Sequence, residues 1–244
     1  MTIAPDATTL RRPAMAEATC DHCAARELAI CSSLQPDQLL RLRAVATTCR
    51  IEAGGQLCRE GDPAHHLSSI IDGAVRLSKL LPDGRRQITG FLMRGDFLGL
   101  VFHDVHAVSA EALTPVRLCR YQRPQIERLM RELPELQRRL LVEANHDLVL
   151  AQEQMLLLGR KTARERVASF LVRLADRACR RGLPADPLGL PMSRADIADF
   201  LGLTTETVSR TFTQLKRAGL IALPGQGKVK LLRRDVLAEI AEGN

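Results

Sequence analysis

Three cysteines stand within twelve residues near the N-terminus, in the spacing Cys20-x2-Cys23-x7-Cys31. Thiolates on one short loop are soft donors, suited to zinc or to an iron–sulfur group. A four-thiolate site needs one more sulfur. Cys49, Cys58, Cys119 and Cys179 are the candidates, and spacing does not choose among them. Zinc would make a permanent staple, whereas an iron–sulfur group would be labile to oxidants. Cys20 and Cys23 alone would make a redox dithiol. The total of seven cysteines is odd, and no apolar leader follows Arg11 and Arg12. Both points argue against a disulfide framework and for a reducing cytoplasm.

A second set of residues lies between positions 193 and 230. Ser193-Arg194-Ala195-Asp196 has the form of a capping box, with an acid three residues after a hydroxyl. A helix through Ile197, Ala198 and Leu201 would follow, and Gly202 permits a tight turn. Thr204 or Thr205 would cap a second helix that turns Val208, Phe212 and Leu215 inward, with Gly219 as its stop. A small residue at Ala198, a glycine four on and an aliphatic at Val208 are what a helix-turn-helix needs where its helices cross. The outer face of the second helix carries Thr205, Glu206, Ser209 and Arg210. An arginine can donate twice to guanine, a glutamate accepts from cytosine, and serine adapts to either. The hairpin predicted around Leu223-Pro224-Gly225-Gln226-Gly227-Lys228 supplies a wing, with Lys228 and Lys230 placed to reach phosphates.

The rest of the chain must position these groups. It has 244 residues, 45% hydrophobic and 26% charged, which suffices for a folded core. No apolar run reaches the roughly 18 residues of a membrane span. Aromatic residues make up 3%, with no tryptophan, which argues against stacking of single strands. Residues 161–244 hold 15 basic and 9 acidic side chains, net +6, against 20 and 19 in residues 1–160, net +1. A basic module on a neutral one is the footprint of a polyanion-binding protein, here double-stranded DNA. No glycine-rich phosphate loop, nucleophile elbow or paired-carboxylate motif is present, so an enzyme is not expected.

Four segments follow. Residues 1–33 comprise a flexible tail and the cysteine loop. Residues 34–123 begin with a helix over 36–46 and then show turn signals about every ten residues, among them Asp72-Gly73, Asp83-Gly84 and Arg94-Gly95-Asp96, as in a β-sandwich or roll. Residues 124–160 are helical. Leu141, Ala144, Leu148, Ala151, Met155 and Leu158 alternate in steps of three and four, a seam for a second copy of the chain. Residues 161–244 open with a helix over 163–181, stopped by Gly182-Leu183-Pro184, and continue into the helix-turn-helix.

Gly202-Leu203-Thr204-Thr205-Glu206-Thr207-Val208-Ser209-Arg210 and Gln87-Ile88-Thr89-Gly90-Phe91, with the order of segments, resemble the FNR branch of the CRP/FNR transcription regulators over roughly residues 20–235. The fold implied is α+β: an antiparallel β-roll of the cupin-like jelly-roll kind, a long dimerisation helix and a C-terminal winged helix-turn-helix. The resemblance implies a homodimer reading an inverted repeat of TTGAT-type half-sites through Glu206, Ser209 and Arg210, with Arg194 on a phosphate. It also implies an oxygen-labile [4Fe–4S] cluster on Cys20, Cys23, Cys31 and Cys119. The seven-residue gap before Cys31 exceeds the five of the best-known members and resembles a longer-spaced group. The hairpin over 82–86 matches a region that contacts RNA polymerase in relatives. No cyclic nucleotide is expected, since no arginine lies between Arg94 and Arg117 to hold its phosphate. Haem ligation by His65, His66, His103 or His106 is not favoured, because a loop histidine is ordinarily solvated.

Overall fold

The computed structural model describes residues 20–99, 104–183 and 186–243. The chain forms two compact units, Met1–Lys79 with Thr89–His146 and Leu80–Ile88 with Asp147–Asn244. The four segments expected from the sequence therefore fold as two bodies. The cysteine loop and the first part of the long helix join the roll, and the remainder of that helix joins the helix-turn-helix. The expected tail over 1–19 and His103 lie outside the described residues.

The first unit holds a roll of two four-stranded sheets, except for the turn between the fourth and fifth strands and the start of the fifth (residues 80–88), which group with the second unit. Its strands are β1 (Ala46–Ile51), β2 (Gln56–Cys58), β3 (His66–Asp72), β4 (Val75–Leu80), β5 (Arg86–Leu92), β6 (Phe97–Leu98), β7 (Ser109–Ala112) and β8 (Val116–Gln122). They pair in the orders β1-β8-β3-β6 and β2-β7-β4-β5. Tight turns link them. At Gly73 (φ +94°) a Cβ would fall 2.4 Å from the Pro115 carbonyl oxygen, so only glycine fits. Ile70, Val75, Leu98, Ala110, Val116 and Leu118 fill the space between the sheets.

Strand alternation sends the other residues of β8 outward. Cys119 and Tyr121 join Leu67 and Phe97 on a face covered by the cysteine loop and by α1 (Pro36–Ala44) and α2 (Arg123–Glu132). Helix α1 stops two residues before the expected end because Ala46 is already paired with Tyr121 in the sheet. Helix α3 (Pro134–Arg160) starts at its proline, which loses no hydrogen bond there. Leu136 and Leu140 of α3 complete this second core.

In the second unit, α4 (Ala163–Arg180) buries Val167, Phe170, Leu171 and Leu174, the apolar face read from its sequence. Thr162 and Glu165 cap its start reciprocally. Then follow β9 (Leu188–Gly189), α5 (Arg194–Leu201), α6 (Thr205–Arg217), β10 (Ile221–Gly225), β11 (Lys228–Leu231) and α7 (Arg234–Glu242). The three short strands pair in the order β10-β11-β9. Helix α7 packs on α4 and closes the core.

Candidate nucleic-acid interface and thiol cluster

The two helices of the expected helix-turn-helix form as read. Ser193 Oγ accepts from the Asp196 amide at 3.0 Å, and Asp196 accepts from the Ser193 amide at 2.9 Å. Gly202 takes the left-handed conformation, φ 61°. Of the two threonines proposed as cap, Thr204 does the work, its Oγ1 accepting from the Thr207 amide at 3.1 Å. Val208, Thr211, Phe212 and Leu215 are buried along α6. Thr205, Glu206, Ser209 and Arg210 are exposed on its opposite face.

That face is polar and internally satisfied. Arg210 Nη2 lies 2.5 Å from Glu206 Oε1, and Ser209 Oγ donates to the Thr205 carbonyl at 2.8 Å. The pairing holds both side chains along the helix axis while leaving them wet. Arg194 behaves differently. Its guanidinium lies over the Phe212 ring, 3.4 Å from the centroid, and burial depresses its pKa. Arg194 thus serves the α5–α6 junction, and its expected phosphate role falls to a half-buried side chain. On the wing, Lys228 is exposed at the start of β11, whereas Lys230 is 2.8 Å from Asp186.

The helical seam is present in α3, but its phase is shifted. Leu141, Leu148 and Met155 are exposed large apolar residues, and so are Val142, Val149 and Leu156, which the three–four alternation omitted. Ala151 is exposed, whereas Ala144 and Leu158 are half-buried. Leu157 is fully buried, and Leu158 Cδ2 lies 3.1 Å from where a Cβ on Gly202 would stand. The end of the expected seam is therefore spent inside the chain. The free stripe runs along 141/142, 148/149 and 155/156.

The tip of the β4–β5 hairpin exposes Leu80 and Leu81, and Arg85 pairs with Asp83 at 2.8 Å. Arg86 is engaged within the second unit, with Asp199 at 2.7 Å and Asp196 at 3.1 Å.

The four candidate thiols lie in different surroundings. Cys58 and Cys49 pack with the core between the sheets, and Cys179 is exposed on α4. Cys119 lies on the outer face of β8, in the same cluster as Cys20 and Cys31. Burial and then the charges of Cys23, Cys20 and Cys31 push its thiol up to about 12. Burial also raises Cys31, and Arg26 opposes that rise. Arg26 is itself held by the Cys31 carbonyl and, at 3.0 Å, by the Leu34 carbonyl. Cys119 thus lies within electrostatic reach of Cys20, Cys23 and Cys31, and burial disfavours the thiolate at both Cys119 and Cys31. The four do not close round a single ion. Among the described residues no three Cys, His, Asp or Glu side chains are placed to hold one.

The loop that carries three of these thiols is tied to α3. Arg139 Nη2 donates to the Leu28 carbonyl at 2.9 Å, and Ser33 Oγ donates to the Glu135 carbonyl at 3.4 Å. Gly95 lets Leu28 approach so closely that a Cβ there would be 2.5 Å from Leu28 Cβ. Sequence reasoning missed Arg139 because its partner is a backbone carbonyl far along the chain.

A β-roll joined through a long helix to a winged helix-turn-helix with a polar, exposed recognition face defines a DNA-binding regulator. Comparison with known proteins agrees. Residues 165–240 match the Crp-like helix-turn-helix domain, and residues 48–132 match the cyclic nucleotide-binding domain. The chain is 45% identical to the transcriptional activatory protein AadR of Rhodopseudomonas palustris, over 89% of this chain and 92% of that protein. It is 43% identical to the nitrogen fixation regulation protein FixK of Bradyrhizobium diazoefficiens, over 84% and 86%. Among solved structures, FixK2 of Bradyrhizobium japonicum superposes with a TM-score of 0.76 at 38% identity, covering 80% of this chain and 97% of that one. The chain belongs to the CRP/FNR family of transcription regulators.

Proposed function

We propose that the chain is a cytoplasmic, oxygen-responsive activator. It binds an inverted repeat of TTGAT-type half-sites as a homodimer while a [4Fe–4S] cluster is held by Cys20, Cys23, Cys31 and Cys119. The observation that supports this reading is that Cys119 shares the outer-face cluster with Cys20 and Cys31 and lies within electrostatic reach of Cys23, with the other three cysteines elsewhere. Bound there, the group would supply an oxygen-labile crosslink between the loop and β8. The protein's own residues supply the rest. Arg139 and Ser33 tie the loop to the start of α3, so the order of the loop bears on the helix that carries the apolar stripe. That stripe, covered by a second copy, would set two recognition helices about one DNA turn apart. Glu206, Ser209 and Arg210 would then meet base edges, and Lys228 a phosphate.

The relatives named as activators support activation. The exposed apolar tip at Leu80 and Leu81 supports a contact between the 82–86 hairpin and RNA polymerase. A cyclic nucleotide is not the proposed signal, although the roll matches that domain. The stretch between Arg94 and Arg117 offers no guanidinium, and Arg76 is bonded to both carboxylate oxygens of Glu111 at 2.8 Å. The competing reading is a dithiol at Cys20 and Cys23, which share one turn.

Iron loading separates the two. In protein isolated without oxygen, Cys119→Ala should carry far less than the four irons per chain of an intact cluster, and Cys49→Ala should load fully. Equal loading of both variants would remove Cys119 from the site, and iron-free wild-type protein would favour the dithiol.

A further inference from the structure

Arg166, on the first turn of α4, uses its whole guanidinium on backbone carbonyls. Nε donates to Lys161 at 2.8 Å and Nη2 to Leu158 at 2.9 Å. Nη1 donates to Leu201 at 2.9 Å and approaches the Gly202 carbonyl at 3.4 Å. Leu158 and Lys161 belong to the last turn of α3 and the link beyond it. Leu201 and Gly202 belong to the end of α5. A helix C-terminus leaves carbonyls without intrahelical partners and carries partial negative charge. One half-buried cation here answers two such ends at once. Gln154 of α3 adds a third tie, its Nε2 donating to the Phe200 carbonyl at 2.7 Å. Three successive carbonyls at the turn of the helix-turn-helix are thus gripped by side chains from α3 and α4. All of these residues lie in the second unit.

The turn is shaped for this grip. A Cβ on Gly202 would meet Leu158 Cδ2 at 3.1 Å and Arg166 Nη1 at 3.4 Å. Lysine could not replace the arginine, because an ammonium is a point donor without a planar fork.

We propose that Arg166, assisted by Gln154, is the positioning residue that locks the helix-turn-helix to the end of the dimer-forming helix. It thereby sets the half-site spacing that the homodimer accepts. The proposal rests on the reading that DNA is bound by a dimer. The test uses full-length Arg166→Lys and Gln154→Leu. The probes are duplexes carrying two TTGAT half-sites in inverted orientation with spacers of two to six base pairs, and a duplex with one half-site. Wild type should prefer one spacer. Arg166→Lys should lose at least tenfold of that discrimination while its affinity for the single half-site changes less than threefold. Gln154→Leu should shift in the same direction by less. Unchanged spacer discrimination in Arg166→Lys would overturn the proposal, and so would an equal loss on the single half-site. Wild type that ignores the repeat altogether would refute the dimer reading instead. Hydrogen exchange in the free chain then decides the lock. Amides of 201–206 should exchange at least tenfold faster in Arg166→Lys with the α4–α7 core unchanged, and no acceleration would refute it.

Discussion

Arg210→Ala separates reading of DNA from folding, because the two costs can be worked out independently. Among the described residues Arg210 pairs with Glu206, one helical turn earlier, at 2.5 Å. Their side chains are 73% and 69% exposed, so the pair is solvent-screened. An exposed pair of this spacing contributes about 0.3–0.5 kcal/mol. For a chain of this size that corresponds to roughly 1–2 °C in Tm. On DNA the same side chain would make a bidentate contact to guanine, worth about 1–3 kcal/mol at each half-site. A dimer engages two half-sites, so the variant should lose about 2–6 kcal/mol, or roughly 30-fold to 20,000-fold in affinity at about 1.4 kcal/mol per decade. Release of Glu206 from its partner would recover only a few tenths of this. Fluorescence anisotropy with a labelled TTGAT-N4-ATCAA duplex and a shuffled duplex measures the difference, alongside thermal unfolding. The expected result is a large loss on the repeat, a small change on the shuffled sequence and a nearly unchanged Tm. A loss below threefold, or an equal loss on both duplexes, would refute the assignment of Arg210 to a base edge.

Gly202→Ala should destabilise the chain by at least about 1–2 kcal/mol, the cost of a left-handed alanine, with the crowding by Leu158 and Arg166 adding to it. Thermal unfolding of this variant beside Gly61→Ala is the check, since Gly61 has a similar φ of +84° but nothing within 4 Å of its would-be Cβ. The Gly202 variant should melt lower. Leu148→Glu should weaken self-association, because each buried leucine contributes about 1.5–3 kcal/mol and a twofold interface loses two. Sedimentation equilibrium should show at least a hundredfold weaker dimer, and an unchanged association constant would place the interface elsewhere.

The helix-turn-helix was legible because its determinants are local. Ser193 with Asp196, Gly202, Thr204 and the inward Val208 and Phe212 each act within a few residues, and the structure places them as expected. The helical seam was half-legible. Periodicity reveals an apolar stripe but not which flank the same chain will cover, and Leu158 and Ala144 turned out half-buried while Val142, Val149 and Leu156 were left exposed. Cys119 could be singled out by resemblance but not by spacing. Its placement depends on the alternation of β8 and on register with β1 and β3, both non-local properties. Arg166 left no trace in the sequence, since a guanidinium bonded to carbonyls has no partner residue type to search for, and Arg139 shows there its i,i+4 spacing to Glu143 but not its bond to the Leu28 carbonyl. Arg194 was legible as a cation near the DNA face, but its stacking on Phe212 needed the packed pair of helices to be seen.

The central claim is that intact thiol-held iron is required for DNA binding. The direct measurement is the affinity of one anaerobic preparation for the TTGAT-N4-ATCAA duplex before and after exposure to air, with iron, sulfide and the visible spectrum recorded at each step. The account predicts a coloured protein with about four irons per chain, as a four-thiolate cubane requires. On exposure to air its absorption should bleach, its dimer dissociate and its affinity fall at least tenfold. A colourless protein that binds the repeat equally well in both states would contradict it.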